Sequence, residues 1–209
     1  MTFSDFTDQL NELQNKPLGG LHSQLKLAPK LRTQFSQELI NSKNPKKAAV
    51  LALFYPDKNN KTRLLLTERA SYNGKHSAQV SFPGGKIDIE DKNLKTTALR
   101  ETFEEVGIIP KDIKIIRQLS DSYIPPSNFL VAPFIGFTKT KPVFKPNYEV
   151  ANIIEVLISD LFNDRNLTSV SMETSYMKKI KVPCFKLNNY VVWGATAMML
   201  SEIKDLFKL

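Results

Sequence analysis

The amino-acid sequence predicts an α/β protein, a mixed β-sheet between helices, with a helical extension at its N-terminal end and a helix at its C-terminal end. Three observations carry that expectation. Two apolar runs of strand composition, Ala48 to Tyr55 and Arg63 to Glu68, follow one another closely. A strongly helical block, Leu94 to Val106, is stopped by Gly107. Further strand-like runs, Ile113 to Leu119, Phe129 to Phe137 and Val150 to Ile158, precede a terminal helix-like block from about Ala195 to Phe207.

Taken in chain order, Ser4 is the expected cap of a first helix, because Phe6, Leu10 and Leu13 recur at helical spacing before Pro17 and the Gly19-Gly20 pair. One or two short helices follow before Pro45, on Leu31, Phe35 and Leu39. Pro56 to Lys61 has hairpin-loop chemistry, so the strands on either side are expected to be adjacent. Ala70 to Gly85 is polar and irregular, and Pro125-Pro126 marks a loop between strands. Lys178 to Leu187 and Tyr190 to Val192 read as a hairpin turned at Asn188-Asn189. No internal repeat or low-complexity tract interrupts this order.

The composition, 42% hydrophobic and 24% charged over 209 residues, is that of a globular protein with one domain. No apolar run reaches the roughly 20 residues of a membrane-spanning helix, and Met1 to Leu10 lacks the pattern of a secretion signal. A cytoplasmic protein with no membrane partner is expected. Cys184 is the single cysteine, which excludes an intrachain disulfide and a zinc site built from several thiolates. The net charge of +8 favours an anionic partner, although the lysines are scattered as on a solvated surface.

The helical block carries the chemistry. At roughly 100° per residue, with Glu101 at zero, Glu105 falls near 40° and Glu104 near 300°, whereas Leu99, Phe103 and Val106 gather between roughly 140° and 200°. The expected arrangement packs the apolar side on the sheet and leaves three carboxylates together on the other. Like charges at helical spacing repel by roughly 0.2 to 0.5 kcal/mol per pair. Arg100, near 260°, offsets part of that, and a hard divalent cation with oxygen ligands would offset far more. Glu-x-x-Glu-Glu alone reads first as a solvated acidic face, and it is the surrounding residues that reverse this.

The glycine pair upstream, Arg100-Glu101, Glu104-Glu105, Gly107 and Ile108 together resemble the Nudix box, Gly-x5-Glu-x7-Arg-Glu-U-x-Glu-Glu-x-Gly-U, with U a bulky apolar residue. Gly85 to Arg100 is one residue longer than the general box, its first glutamate is represented by Asp91 or Glu90, and its first U by Thr102. The extension resembles the coenzyme A pyrophosphatase branch, in which Phe-Pro-Gly-Gly-Lys-x-Asp and Thr-Ala-Leu-Arg-Glu recur; Phe82 to Lys86, Asp88 and Thr97 to Glu101 fit it. The upstream signature of that branch is matched at Leu65-Leu66-Thr67-Glu68-Arg69-Ala70 and departs at Gly74, in place of an arginine, and at Ala78, in place of a glycine. Lys75 stands beside the missing arginine, and Val192 to Ala197 also resembles the branch.

The resemblance implies a Nudix α/β/α sandwich over residues 46–209, with residues 1–45 as a helical extension packed on it. It implies that Glu101, Glu104 and Glu105, with the carbonyl of Gly85, hold Mg²⁺ or Mn²⁺, and that Arg100 and Glu149 belong to the catalytic set, Glu149 as ligand or base. Arg69, Lys75, Phe82 and Lys86 are the implied substrate contacts. The implied reaction cuts the pyrophosphate of coenzyme A or a derivative to 3′,5′-ADP and 4′-phosphopantetheine. ADP-ribose or a dinucleotide is the rival substrate, and an idle nucleotide-binding domain the rival of another class. The implied partner is a small nucleotide; nucleic acid is not expected, because no aromatic-basic interleaving is present. A homodimer is an assembly the resemblance allows. His76 and His22 have no motif around them, and Trp193 reads as core.

Overall fold

A computed structural model of the chain describes residues 1–29, 36–70, 79–174 and 177–207, with side chains given for all of these except residues 173–174 and 177–179. The central strand is β1 (Lys46–Pro56), whose apolar residues leave no room for a solvent-facing side. It runs antiparallel to β2 (Thr62–Arg69) across the Pro56 to Lys61 loop and parallel to β7 (Phe129–Phe137). Around them an eight-stranded mixed sheet is completed by β3 (Val80–Ser81), β4 (Gly84–Lys86), β5 (Lys114–Gln118), β6 (Ser122–Ile124) and β8 (Val150–Leu157). A second sheet of three strands comprises β9 (Leu167–Thr174), β10 (Met177–Leu187) and β11 (Tyr190–Trp193). Asn188 and Asn189 adopt φ of 47° and 67°, the left-handed pair that a two-residue hairpin turn requires.

Alternation along β1 and β2 sends successive side chains to opposite faces and makes two cores. Ala49, Leu51, Leu53, Tyr55 and Leu65 form one with Ala98 and Val106 of α5 (Leu94–Val106). Ala48, Ala52, Phe54, Leu64 and Leu66 form the other. That second core is closed by Phe3 and Phe6 of α1 (Phe3–Asp8), Leu13 of α2 (Leu10–Asn15) and Leu200, Ile203 and Phe207 of α7 (Gly194–Phe207). The sheet thus lies between helices, as the sequence predicts. Phe6 stacks on Phe54 and on Phe207, with ring centroids 5.0 and 6.0 Å apart.

The N-terminal segment differs from expectation in two details. Thr2, not Ser4, caps α1, because Thr2 and Asp5 form a reciprocal capping box, and the helix is broken at Gln9 into α1 and α2. A third short helix, α3 (Gly20–Leu25), is fixed to α7 through Glu202, which is fully buried. The carboxylate of Glu202 accepts from the Gly20 amide (3.0 Å), Ser120 Oγ (2.6 Å) and Gln24 Nε2 (3.0 Å). Two other short helices, α4 (Gln37–Ser42) and α6 (Ile158–Phe162), precede β1 and follow β8.

Helix α5 forms as the sequence predicts, but its rotational setting differs. Asn93 caps it by accepting from the Thr96 amide, and Gly107, at φ 76°, ends it. The face turned to the sheet is Ala98, Thr102, Glu105 and Val106, while Phe103 is 48% exposed. That buried stripe is centred about 80° from the one that Leu99, Phe103 and Val106 select. The reason is the surface beneath: Ala49 and Gly85 lie side by side there, and the short residues of α5 settle closely on them. The Thr102 hydroxyl donates to the Ala98 carbonyl at 2.7 Å, which satisfies its polar atom inside the contact.

Candidate active site

Strand pairing sets the floor of the site. Gly85 pairs with Ala49, which faces α5, and therefore Gly85 faces α5 too. A methyl group added to Gly85 would lie 2.5 Å from the carboxyl carbon of Glu101, so that carboxylate rests directly over the glycine. Gly84, at φ 153°, turns its amide to Glu105 Oε2 at 3.3 Å, and a methyl group there would meet the Ala49 carbonyl at 2.3 Å. The two glycines serve different ends, Gly84 the close approach of backbone to β1 and Gly85 the seat of a carboxylate.

Arg100 joins the loop to the helix. Its Nε and Nη2 donate to the two oxygens of Asp91 at 3.1 and 2.8 Å, and Nη2 also donates to the Lys86 carbonyl at 3.1 Å. Its Nη1 reaches Glu101 at 2.9 Å and Glu104 at 3.0 Å. Hydrogen bonding from Arg100 holds the Asp91 carboxyl at about 2, well below its usual range, and the same partner raises Arg100. Of the two acids that could represent the first acid of the box, the structure puts Asp91 on the arginine and leaves Glu90 exposed. Sequence reasoning had the position and not the role.

The second arginine spans the other acids. Arg69, at the end of β2, places Nη2 2.8 Å from Glu149 and Nη1 3.5 Å from Glu105. Glu105 is 5% exposed, and burial pushes its carboxyl up to about 7, assisted by the charges of Glu101 and Glu149 and opposed by Arg69 and the Gly84 amide. Burial also raises Glu101. Glu105 therefore does not lie on the solvent side of α5, where the wheel puts it; Glu104 does. Glu149 is carried by the turn before β8, where its amide donates to Asn147 Oδ1 and its carbonyl accepts from the Ala70 amide. The Asn147 amide in turn donates to the Glu105 carbonyl at 3.0 Å, tying that turn to α5. No sequence motif had singled out Asn147.

The structure thus brings Arg69, Gly85, Arg100, Glu101, Glu104, Glu105 and Glu149 together. It does not bring Phe82, which is 2% exposed and packed in the second core. Lys86 contributes its carbonyl to Arg100 while its side chain is exposed. Lys75 and His76 lie outside the described residues. Among the described residues no three acidic, histidine or cysteine side chains already stand close enough to hold a metal ion; instead guanidiniums bridge Glu101 to Glu104 and Glu105 to Glu149. The donor set is all oxygen, and its carboxylates outnumber its guanidiniums, which suits a hard divalent cation.

A mixed sheet that sets an acidic helix across a glycine pair, with an arginine rooted in the preceding loop, places the chain in the class of Nudix folds. Comparison with known proteins agrees. The family model for the NUDIX domain matches residues 45–152. An uncharacterized Nudix hydrolase, NudL, of Pectobacterium atrosepticum is 32% identical over 187 residues, covering 86% of this chain and 88% of that protein. The chloroplastic Nudix hydrolase 22 of Arabidopsis thaliana is 31% identical over 75% of this chain, which spans 53% of that longer relative. Among solved structures, the Nudix hydrolase RenU of M. smegmatis superposes with a TM-score of 0.56 at 16% identity, over 79% of this chain and 89% of that one. The chain belongs to the Nudix hydrolase family, whose members act on pyrophosphate bonds and generally use divalent ions such as Mg²⁺ or Mn²⁺.

Proposed function

We propose that this Nudix hydrolase cleaves the pyrophosphate of coenzyme A or its derivatives, giving 3′,5′-ADP and 4′-phosphopantetheine or its acyl form. The observation that carries the reading is the position of Arg69. It belongs to the Leu65 to Ala70 segment that resembles the coenzyme A pyrophosphatase branch, and it reaches Glu105 and Glu149 beside the box glycines. The net charge of +8 suits so anionic a substrate.

On this reading Glu101, Glu104 and Glu105, with the Gly85 carbonyl, hold Mg²⁺ or Mn²⁺. When bound, the ion neutralises the pyrophosphate and lowers the pKa of an attacking water. Arg100, fixed by Asp91, orients Glu101 and Glu104. Glu149, the more exposed partner of Arg69, takes the proton from the water, and Arg69 binds a substrate phosphate through charge-assisted hydrogen bonds. The enzyme works in the cytoplasm on a small nucleotide.

Gly74 and Ala78, which depart from the upstream signature, favour a second reading, in which the substrate is another nucleoside diphosphate derivative such as ADP-ribose. One experiment separates the two. The protein is incubated with Mg²⁺ or Mn²⁺ and coenzyme A, ADP-ribose, dinucleotides or nucleoside triphosphates, and products are identified by mass. A two-product split of coenzyme A is expected. Good hydrolysis of ADP-ribose with coenzyme A untouched overturns the substrate and leaves the chemistry; no hydrolysis of any substrate favours an idle nucleotide-binding domain.

A further inference from the structure

We propose that Arg69 is an internal counter-cation of the acidic site, exchanged for the divalent ion when that ion binds, and that this exchange turns its guanidinium towards the substrate phosphate. The inference rests on the metal-dependent reading above and adds a coupling between ion and substrate that the reading does not contain.

Three features of the geometry lead to it. First, Arg69 lies on β2 two residues beyond Thr67 and four beyond Leu65, so it shares the sheet face on which α5 packs. Second, among the described residues it pairs, at 2.8 Å with Glu149 and at 3.5 Å with Glu105, with the same acids that the reaction is proposed to use. Third, Glu105 is buried, and a buried carboxylate needs a charged or hydrogen-bonding partner; here that role is filled by Arg69 together with the Gly84 amide.

A divalent ion held at Glu105 would compete with the Arg69 guanidinium for the same buried carboxylate. With an ion held there, Arg69 would be repelled, and a substrate phosphate would become the acceptor for its charge-assisted hydrogen bonds. Arg100 holds Asp91 and the Lys86 carbonyl as well, neither of which is among the acids read as metal ligands. Linkage makes the effect reciprocal: if Arg69 must leave for the ion to enter, removal of its charge tightens ion binding, and ion binding tightens phosphate binding.

The test is equilibrium binding of Mn²⁺ to the full chain, read by the electron paramagnetic resonance of unbound Mn²⁺, for the unaltered protein, Arg69→Gln and Arg69→Lys. Arg69→Gln is expected to bind Mn²⁺ about tenfold more tightly, the scale of a typical coupling between sites, whereas Arg69→Lys, which keeps the charge, stays within about threefold. A second readout, on the unaltered protein, is the Nε–Hε resonance of Arg69, assigned by its loss in Arg69→Lys and followed during titration with Mg²⁺. It is expected to shift in step with the amides of Gly84 and Gly85. Equal or weaker Mn²⁺ binding by folded Arg69→Gln overturns the exchange, as does an Arg69 resonance that stays put while the glycine amides move. If the unaltered protein binds no Mn²⁺ at all, the metal-dependent reading itself fails, and the exchange with it.

Discussion

Gly85→Ala isolates the seat of Glu101 from the rest of the fold. The new methyl carbon would lie 2.5 Å from the Glu101 carboxyl carbon, and the backbone at Gly85 is not left-handed, so alanine fits the strand. Ordinary contact between such atoms is about 3.5 Å or more, which obliges the carboxylate to move by about 1 Å. The displaced group is the end of a side chain, and the cost to stability stays near 1 kcal/mol. A catalytic group misplaced by that distance costs about a hundredfold in rate. Turnover and thermal unfolding are measured side by side, and the expected result is a hundredfold loss of kcat with a melting temperature lowered by only a few degrees. The neighbouring Gly84→Ala supplies the contrast: its methyl carbon would meet backbone, the Ala49 carbonyl at 2.3 Å and Val50 Cα at 2.6 Å, at φ 153°. That change is expected to cost about 3 kcal/mol or more in stability. Activity of Gly85→Ala within threefold of the unaltered enzyme would refute the placement of Glu101 in the reaction.

Other expectations follow from the same contacts. Glu104→Gln lowers turnover at least about a hundredfold while the protein stays folded, because the side chain is half exposed and its charge is the part removed; near-normal turnover takes it out of the metal site. Asp91→Asn unfastens Arg100. The depressed carboxyl of Asp91 contributes stability above its ordinary value of 3.8 that is lost as pH falls towards about 2, so the unaltered protein should be more stable than Asp91→Asn at pH 5 and converge with it near pH 2. A gap that does not narrow on acidification means that the ion pair is not its source. Glu202→Ala strands three donors, the Gly20 amide, Ser120 Oγ and Gln24 Nε2, and should cost about 3 kcal/mol in denaturant unfolding; a loss below about 1 kcal/mol shows that water replaces the carboxylate. Mn²⁺ should raise the melting temperature of metal-free protein, and an unchanged curve at saturating ion counts against the metal site.

Local chemistry was enough to read some of this from the sequence. Strand β1, helix α5 and the Asn188-Asn189 turn follow from a continuous apolar run, a capped helix stopped by glycine and two residues that tolerate positive φ. The rotation of α5 was not legible, because a wheel ranks residues by size and apolarity, whereas the sheet presents Ala49 and Gly85 and accepts the small stripe of Ala98 and Thr102. That is also why Glu105 turned out buried and Phe103 exposed. Strands β3 and β4, of two and three residues, are too short to show a period, and β9 is too polar to stand out. At the site, the box residues were read from their spacing. The anchoring of Arg100 by Asp91 and the tie made by Asn147 depend on contacts between segments that no local pattern records.

The parallel pairing of β1 with β7, residue for residue from Lys46 opposite Phe129 to Phe54 opposite Phe137, bears on how the molecule assembles. Bringing these strands together closes a loop of about 80 residues, and the entropy of that closure is lost before the ladder returns any of it. The β1–β2 hairpin pairs residues close in sequence, so it can form early. Docking of β7 then fixes the core beneath α5 through Ala132 and Phe134. Closures of this length, this one and the still longer one of β2 on β8, are expected to set the folding speed: a substitution such as Ala132→Gly should slow refolding more than it speeds unfolding, whereas changes among the site carboxylates should leave the refolding rate nearly untouched.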